Sequence, residues 1–294
     1  MRVAGFLFIR NAIKYNYPVK ESIESLLPLC DEVVVSVGNS EDDTETLIRS
    51  IGSPKIKIFH SVWDDSLLEG GQVLAVETDK AFDHIQGNPD WCIYLQGDEI
   101  LHEKDYPAIR EAMQRYKDDT RVEGLLFKYK HFFGSYDYLG DSRRWYSHEI
   151  RIIRHDRRIR SYRDAQGFRL EGRKLQVKPV NAYIYHYGWV RHPSHQYQKH
   201  LDFEKLYGGD TWAKDISLKE LGGFDYSRID SLQKYTETHP AVMQELIRRQ
   251  NWQFSADLSK KNFNLKGWVL YYIEKYKSFH RAFRVAEERF EIFG

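Results

Sequence analysis

The chain has 294 residues, 41% hydrophobic and 15% aromatic, with 44 basic against 43 acidic side chains and a net charge of +1. That length suits one large domain with an appendage, or two domains, and the aromatic content excludes a disordered chain. The near-zero charge argues against a surface given over to nucleic acid, and Cys30 and Cys92, in no paired motif, argue against a disulfide framework or a cysteine zinc site.

From the N-terminus, Val3–Ile9 is a continuous apolar run, expected as a strand buried on both faces. The run to Asn11 is too short for a signal-peptide core, and no stretch reaches the ~18 apolar residues of a membrane span, so the sequence reads as soluble and cytoplasmic. Val19–Leu29 places Val19, Ile23, Leu26 and Leu27 at helical spacing. Asp31-Glu32 then leads into the β-branched run Val33–Val37, which ends in the polar loop Gly38 to Thr44. Thr44–Ile51 reads as a short helix stopped by Gly52, and Lys55–Val62 as a third strand. Val73–Ile85 is a helix after Gly70-Gly71, and Trp91–Leu95 is a fourth strand broken by Gln96-Gly97-Asp98-Glu99. Repeated β-α-β units imply an α/β class with a mostly parallel central sheet, helices on both faces and ligand sites at the carboxyl ends of the strands, where both polar loops lie.

Beyond about residue 120 the pattern changes. Val122–Tyr129, Glu149–Ile153 and Ala182–His186 look like strands, separated by arginine-rich and aromatic loops. From about 195 the signal is helical and irregular, punctuated by Gly208-Gly209 and Gly222-Gly223, with no repeat and no low-complexity linker. The expected organisation is a domain over residues 1–192 and a helical extension over 193–294 packed on it.

The sharpest chemical feature is Gln96-Gly97-Asp98-Glu99. Two acids directly after a buried strand cost solvation energy unless they sit at a wet rim or meet a cation. Oxygen ligands of this kind suit Mg²⁺ or Mn²⁺, which in turn suit a diphosphate; the simpler reading is a solvated strand-end turn. Asn11 after the first strand, Ser40-x-Asp42-x-Thr44 after the second and the acid pair after the fourth follow one order. In that order the sequence resembles the family 2 type of nucleotide-sugar glycosyltransferases, which have the GT-A fold, over roughly residues 3–190. Asp31 to Thr44 resembles the family's DE-strand-D-x-G-S-x-D-G-T loop, and Gln96 to Glu99 its D-x-D-E metal motif. Phe8-Ile9-Arg10-Asn11, Trp145 to Arg151 and Tyr185 to Trp189 resemble a group of uncharacterised bacterial members. The chain departs from the pattern at two places: Val37 stands where an aspartate usually holds uridine, and Gln96 replaces the first metal-motif aspartate.

The resemblance implies roles. Asp98 would reach a Mn²⁺ or Mg²⁺ that bridges the donor diphosphate, with His186 as a further metal ligand and Glu99 supporting it or facing the acceptor. Arg10, Asn11, Gly38, Asn39 and Asp42 would line the nucleotide pocket, with Gln96 and Gly97 beside them. The reaction would be inverting transfer to a hydroxyl of a glycan or lipid-linked acceptor, in surface glycan or glycoconjugate synthesis. The base candidates are Asp164, Glu149 and Asp141; Asp164 is preferred, in a glycine-containing loop after a strand, against a plain salt bridge to a nearby arginine. His192, His195 and His200 do not make a zinc site, because Pro193 interrupts them and no H-E-x-x-H pattern accompanies them.

Residues 143–178 carry twelve basic against four acidic side chains. A phosphate clamp, an anionic-lipid contact and nucleic-acid binding through Trp145, Tyr146 and Tyr162 compete with a solvated basic face. Trp268–Phe283 is an aromatic and basic helix that could rest on a membrane surface, on the core or on a second copy in a homodimer. Two other functions stand beside the enzyme reading: a non-catalytic nucleotide- or sugar-binding relative, motivated by Val37 and Gln96, and nucleic-acid binding, which the overall charge does not lead one to expect.

Overall fold

The computed structural model describes residues 1–67, 70–206, 223–259, 261–263, 265, 267–269, 271 and 291–292. Four strands set its frame. β1 (Val3–Ile9), β2 (Glu32–Val37) and β4 (Trp91–Tyr94) are buried along their whole length, and with β3 (Ile56–His60) they run parallel in the order β3-β2-β1-β4. Their apolar, β-branched sequences suit strands covered on both faces. α1 (Val19–Leu26), α2 (Thr44–Arg49) and α4 (Tyr106–Arg115) cover one face through Val19, Ile23, Leu26, Ile48, Ile109 and Met113. α3 (Gln72–Asp83) covers the other through Val73, Leu74, Ala81 and Phe82. Beside α3 lies a small antiparallel sheet of β9 (Ile159–Tyr162), β10 (Gly167–Leu170) and β11 (Arg173–Lys174).

Past β4 the sheet becomes mixed. β8 (His148–Ile153) pairs antiparallel to β4, β6 (Gly124–Phe133) antiparallel to β8, and β7 (Ser135–Gly140) antiparallel to β6. β12 (Gln176–Trp189) lies parallel to β6 and also pairs with the short β5 (Glu99–Leu101), so His186 stands opposite both His131 and Glu99. Its run is far longer than the Ala182–His186 expected from sequence, because Pro179 and the two register shifts near 180 and 187 bend it without ending it. The α/β class with a central sheet and helices on both faces is as expected; the antiparallel strands enter only in its second half.

After β12, α5 (Pro193–Leu206) folds back over the edge of the sheet, β13 (Leu232–Lys234) extends it beside β7, and a short helix α6 (Gln244–Arg248) follows. Among the described residues, the segment after 192 is thus only partly helical. Gly208-Gly209 and most of Trp268–Phe283 lie outside the described residues. Among the described residues, no helix is long and apolar enough to cross a membrane.

Candidate functional site

The carboxyl ends of β1, β2 and β4 lie on one edge of the parallel sheet, and the loops leaving them surround a cavity of about 640 Å³. Parallel strands present their polar connections together at that edge. Arg10, Asn11, Gln96, Gly97, Asp98, Asp164 and His186 all line the cavity, although they come from four separate stretches of sequence.

Gly38, Asn39 and Asp42, expected to line the nucleotide pocket, do not line the cavity; the loop they belong to ties down the chain after β1. Asn11 N–H donates to Ser40 Oγ (3.0 Å), Ala12 N–H to Thr44 Oγ1 (2.8 Å) and Lys14 N–H to Asp42 Oδ2 (2.7 Å). The Asn11 side chain accepts from Glu41 N–H at 2.7 Å, and Asn11 itself adopts φ of 55°. Gly38 is required for another reason: a Cβ there would lie 2.4 Å from the Trp63 indole nitrogen. Trp63 in turn donates its backbone N–H to Asn39 Oδ1 (3.3 Å) and packs 5.5 Å from the Arg10 guanidinium, which also bonds Asp65 at 2.9 Å.

Glu99 is fully buried and gripped by Arg151, whose Nε and Nη2 each donate to it at 2.8 Å, while Tyr129 adds a third bond at 2.8 Å. It does not line the cavity, so of its two expected roles, supporting Asp98 or facing the acceptor, its position suits the first: a two-point guanidinium fork and a phenol occupy both oxygens. Glu149, a second expected catalytic carboxylate, is 2% exposed within β8 and does not line the cavity either. Asp141 bonds Lys261 at 3.1 Å. Asp164 alone of the three base candidates reaches the cavity, in a turn whose neighbours Arg163 and Ala165 adopt φ of 58° and 61°. Non-glycine residues in that region mark backbone held by its surroundings, often beside a ligand. Gln166 Nε2 donates to Asp164 at 3.4 Å, and Gln96 Nε2 reaches the Ala165 carbonyl at 3.5 Å, linking the two loops.

Asp98 lies on the cavity wall with His186 Nε2 3.7 Å from one carboxylate oxygen and Lys199 Nζ 3.6 Å from the other. The imidazole orientation follows from a hydrogen-bonded chain. His131 Nε2 meets the Tyr146 carbonyl at 2.8 Å, and a carbonyl only accepts, so that nitrogen carries the hydrogen. Burial holds His131 well below its usual value, so it is neutral and its Nδ1 accepts from His186 Nδ1 at 2.9 Å. Neutral His186 therefore turns an unprotonated Nε2 toward Asp98. Burial likewise lowers His186, against the pull of Asp98 and Glu99. Burial alone would raise the Asp98 carboxyl, but Lys199, His186 and Arg191 together hold it below the ordinary range. Burial pushes the Lys199 ammonium down to about 7, with Arg191 adding to the shift and Asp98 opposing it.

These donors fit a divalent cation. Asp98 offers a hard oxygen and His186 a lone pair whose opposite ring nitrogen is hydrogen-bonded, the arrangement that fixes a ligating imidazole. Gly188 keeps the space open, since a Cβ there would lie 2.5 Å from His186 Nε2 and 2.9 Å from Asp98 Oδ2. Among the described residues no group of three or more His, Cys, Asp or Glu side chains could hold a metal, so phosphate and water oxygens would have to complete the shell, as is usual for Mg²⁺.

Sequence reasoning missed Trp63, Lys199, Asp202, His131 and Tyr17. Trp63 follows a parallel strand at the ligand edge and was accessible to the strand-end rule. Lys199 and Asp202 come from α5, more than a hundred positions after Asp98, and no local spacing announces them; Asp202 accepts from Tyr15 Oη at 2.9 Å. The basic stretch 143–178 is largely engaged internally. Arg154 bonds four backbone carbonyls and lies 3.7 Å over the Trp91 ring, Arg157 and Arg160 both meet Asp83, Arg158 meets Asp156 and Arg173 meets Glu123.

No protein-family model matches the chain, and no curated protein does. Among solved structures, TarS of S. aureus is similar at 16% identity with a TM-score of 0.39, covering 67% of this chain and 38% of that one. Residues 1–349 of S. aureus TarS in complex with UDP give 15% identity and 0.39, covering 67% and 63%. Glucosyl-3-phosphoglycerate synthase from Mycobacterium tuberculosis, in complex with Mn²⁺, UDP and phosphoglyceric acid, gives 16% identity and 0.30, covering 44% and 43%. The chain thus spans less than two thirds of these structures, and identities this low carry no residue roles across.

Proposed function

We propose that the protein is a nucleotide-sugar glycosyltransferase that uses a divalent cation, Mn²⁺ or Mg²⁺, and transfers its sugar with inversion to a hydroxyl acceptor. The observation that carries this reading is the convergence of Asp98, His186 and Asp164 on one cavity at the ligand edge of the sheet. Residues 1–192 form the catalytic unit, and the extension after 192 completes its wall through Lys199 and Asp202. Arg10, Asn11, Gln96, Gly97 and Trp63 line the donor side. A divalent cation held by Asp98 and His186 would offset the charge that builds on the departing diphosphate.

Asp164 takes the proton of the acceptor hydroxyl as that oxygen attacks the anomeric carbon; the bond to the diphosphate oxygen breaks and its electron pair leaves with the diphosphate. Glu99 and Arg151 hold the loop between β4 and β5 rigid, so that Asp98 is presented in one orientation. Glycan and lipid-linked alcohols are the acceptor classes proposed, with the enzyme acting in the cytoplasm on surface glycan or glycoconjugate synthesis, if at a membrane then peripherally. A second reading, a binding relative without turnover, is favoured by the uncharged Gln96 and by Val37.

Thermal melting with UDP, GDP, CDP and dTDP, each with and without Mn²⁺, tests the donor site. A ligand at a hundredfold excess over Kd stabilises the folded state by about 2.7 kcal/mol. A metal-dependent shift with one nucleotide is expected, and Asp98→Asn is expected to remove both that shift and sugar transfer. Transfer that survives in Asp98→Asn would refute the metal assignment; a wild-type shift without turnover on any hydroxyl acceptor would favour the binding relative.

A further inference from the structure

Tyr15 and Tyr17 line the cavity at the strand ends, while Asn16 between them, at φ of 51°, lines a second cavity of about 500 Å³. α5 is divided in the same way: Lys199 and Asp202 face the first cavity, Ser194 and His195 the second. The two cavities therefore share a wall. Arg191, fully buried and 5.0 Å over the Tyr17 ring, acts on Asp98 in the first and on His195 and Tyr136 in the second.

Another side of the second cavity is aromatic. Trp252, after α6, donates its indole N–H to the Gly134 carbonyl at 2.7 Å, which engages the polar edge and fixes the ring. Its ring centre lies 6.2 Å from that of Tyr136 on β7, and both side chains line the cavity. Short polar groups stand around this face: Asn16, Asn251, Ser194 and His192. His192 Nδ1 accepts from Ser194 N–H at 3.2 Å, so its ring hydrogen is on Nε2. The cationic groups of the lining are already engaged or weakened. Arg249 Nε bonds Glu245 at 2.7 Å, and burial, with His192 and Arg191, lowers His195. An anion would thus meet a guanidinium held by a carboxylate, and a wholly apolar ligand would cover amides and a hydroxyl without bonding them. A sugar ring satisfies both demands: its C–H face lies on an aromatic ring, and its hydroxyls donate to and accept from side-chain amides.

We propose that the second cavity binds a neutral oligosaccharide, stacked on Trp252 and bonded through its hydroxyls to Asn16 and Asn251. On the glycosyltransferase reading given above, on which this step rests, that chain is the acceptor, and its end reaches the first cavity across the shared wall. The acceptor is then an extended neutral glycan and not a small alcohol.

Binding to an array of neutral and acidic oligosaccharides and their component monosaccharides tests the site, using the wild-type chain, Trp252→Ala and the double variant Asn16→Gly/Asn251→Ala. Asn16 and Asn251 are exposed, and glycine takes the left-handed backbone at position 16 without strain, so the double variant decides the matter even if Trp252→Ala does not fold. The wild-type protein is expected to bind a neutral oligosaccharide more tightly than any monosaccharide. Each variant is expected to weaken that binding about tenfold, the scale of two hydrogen bonds or of one stacking face. Binding of nothing on the array, binding of acidic glycans alone, or equal binding by a folded variant would overturn the proposal. The bound glycan is then incubated with Mn²⁺ and UDP-, GDP-, CDP- and dTDP-hexoses, and a mass gain of one sugar is expected. If a nucleotide shifts the melting temperature with Mn²⁺ yet the glycan gains nothing, the acceptor assignment falls and the glycan site stands. A glycan bound by a protein that no nucleotide stabilises would keep the site and remove the transferase reading.

Discussion

Single atoms govern the space at the site. At Gly188 the backbone passes so near the Asp98–His186 pair that one added methyl would lie within 2.5 Å of the imidazole nitrogen. Gly188→Ala is therefore expected to leave the far-ultraviolet circular dichroism intact while removing the Mn²⁺-dependent melting shift with nucleotide; an undiminished shift would mean that His186 Nε2 is not a ligand. The Glu99–Arg151 pair is the opposite case, a buried contact whose role is positional. Replacing Glu99 by Gln leaves the guanidinium charged and uncompensated at 1% exposure. Removal of one partner from such a pair typically costs about 3–5 kcal/mol, and urea unfolding of Glu99→Gln should show a loss of that order. A loss below about 1 kcal/mol, the scale of surface pairs, would show that water reaches the pair.

At the scale of elements, the loop after β2 acts as a clasp on the loop after β1. Ser40, Asp42 and Thr44 accept three backbone N–H groups from residues 11–14 that would otherwise lack partners. α3 is joined to the small sheet by a different device: Asp79 accepts from Ser161 N–H at 2.8 Å, and burial raises its carboxyl from 3.8 to about 6. A carboxyl raised in the folded state contributes stability below its unfolded value, and that contribution is lost as pH rises through the folded value. The window is thus pH 3.8 to about 6. Asp79→Asn keeps a carbonyl acceptor, so its melting temperature relative to wild type should be higher at pH 8 than at pH 3.5; the reverse order would show that Arg160 governs Asp79.

Across the whole molecule, several histidines are neutral because they are buried. Burial lowers His148 and His239 from 6.5 to about 4, and His239 sits against Phe132 with its ring bonded to Tyr187 Oη at 2.8 Å. A base lowered by folding takes up its proton more readily when unfolded, so stability falls as pH drops from 6.5 toward 4. His239→Gln should flatten that part of the urea-unfolding profile, and an unchanged slope would remove His239 from the account. Asp79 pulls the other way over part of this range.

Much of this could be read from the chain itself, because local forces decide it. The apolar runs Val3–Ile9, Val33–Val37 and Trp91–Leu95 are buried strands almost residue for residue, and burial on both faces leaves a strand no polar alternative. Parallel strands joined through helices must gather their carboxyl-end loops on one edge, which is why Arg10, Asn11 and Asp98 could be sought in one place. What those loops do once gathered was decided by tertiary structure. Glu99 and Asp98 are adjacent in sequence, yet one turns into the core toward Arg151 and the other into the cavity toward His186 and Lys199. Whether a carboxylate is catalytic, ligating or merely neutralised depends on which cation the fold brings to it, and those cations come from residues 151, 191 and 199, whose approach no spacing rule encodes.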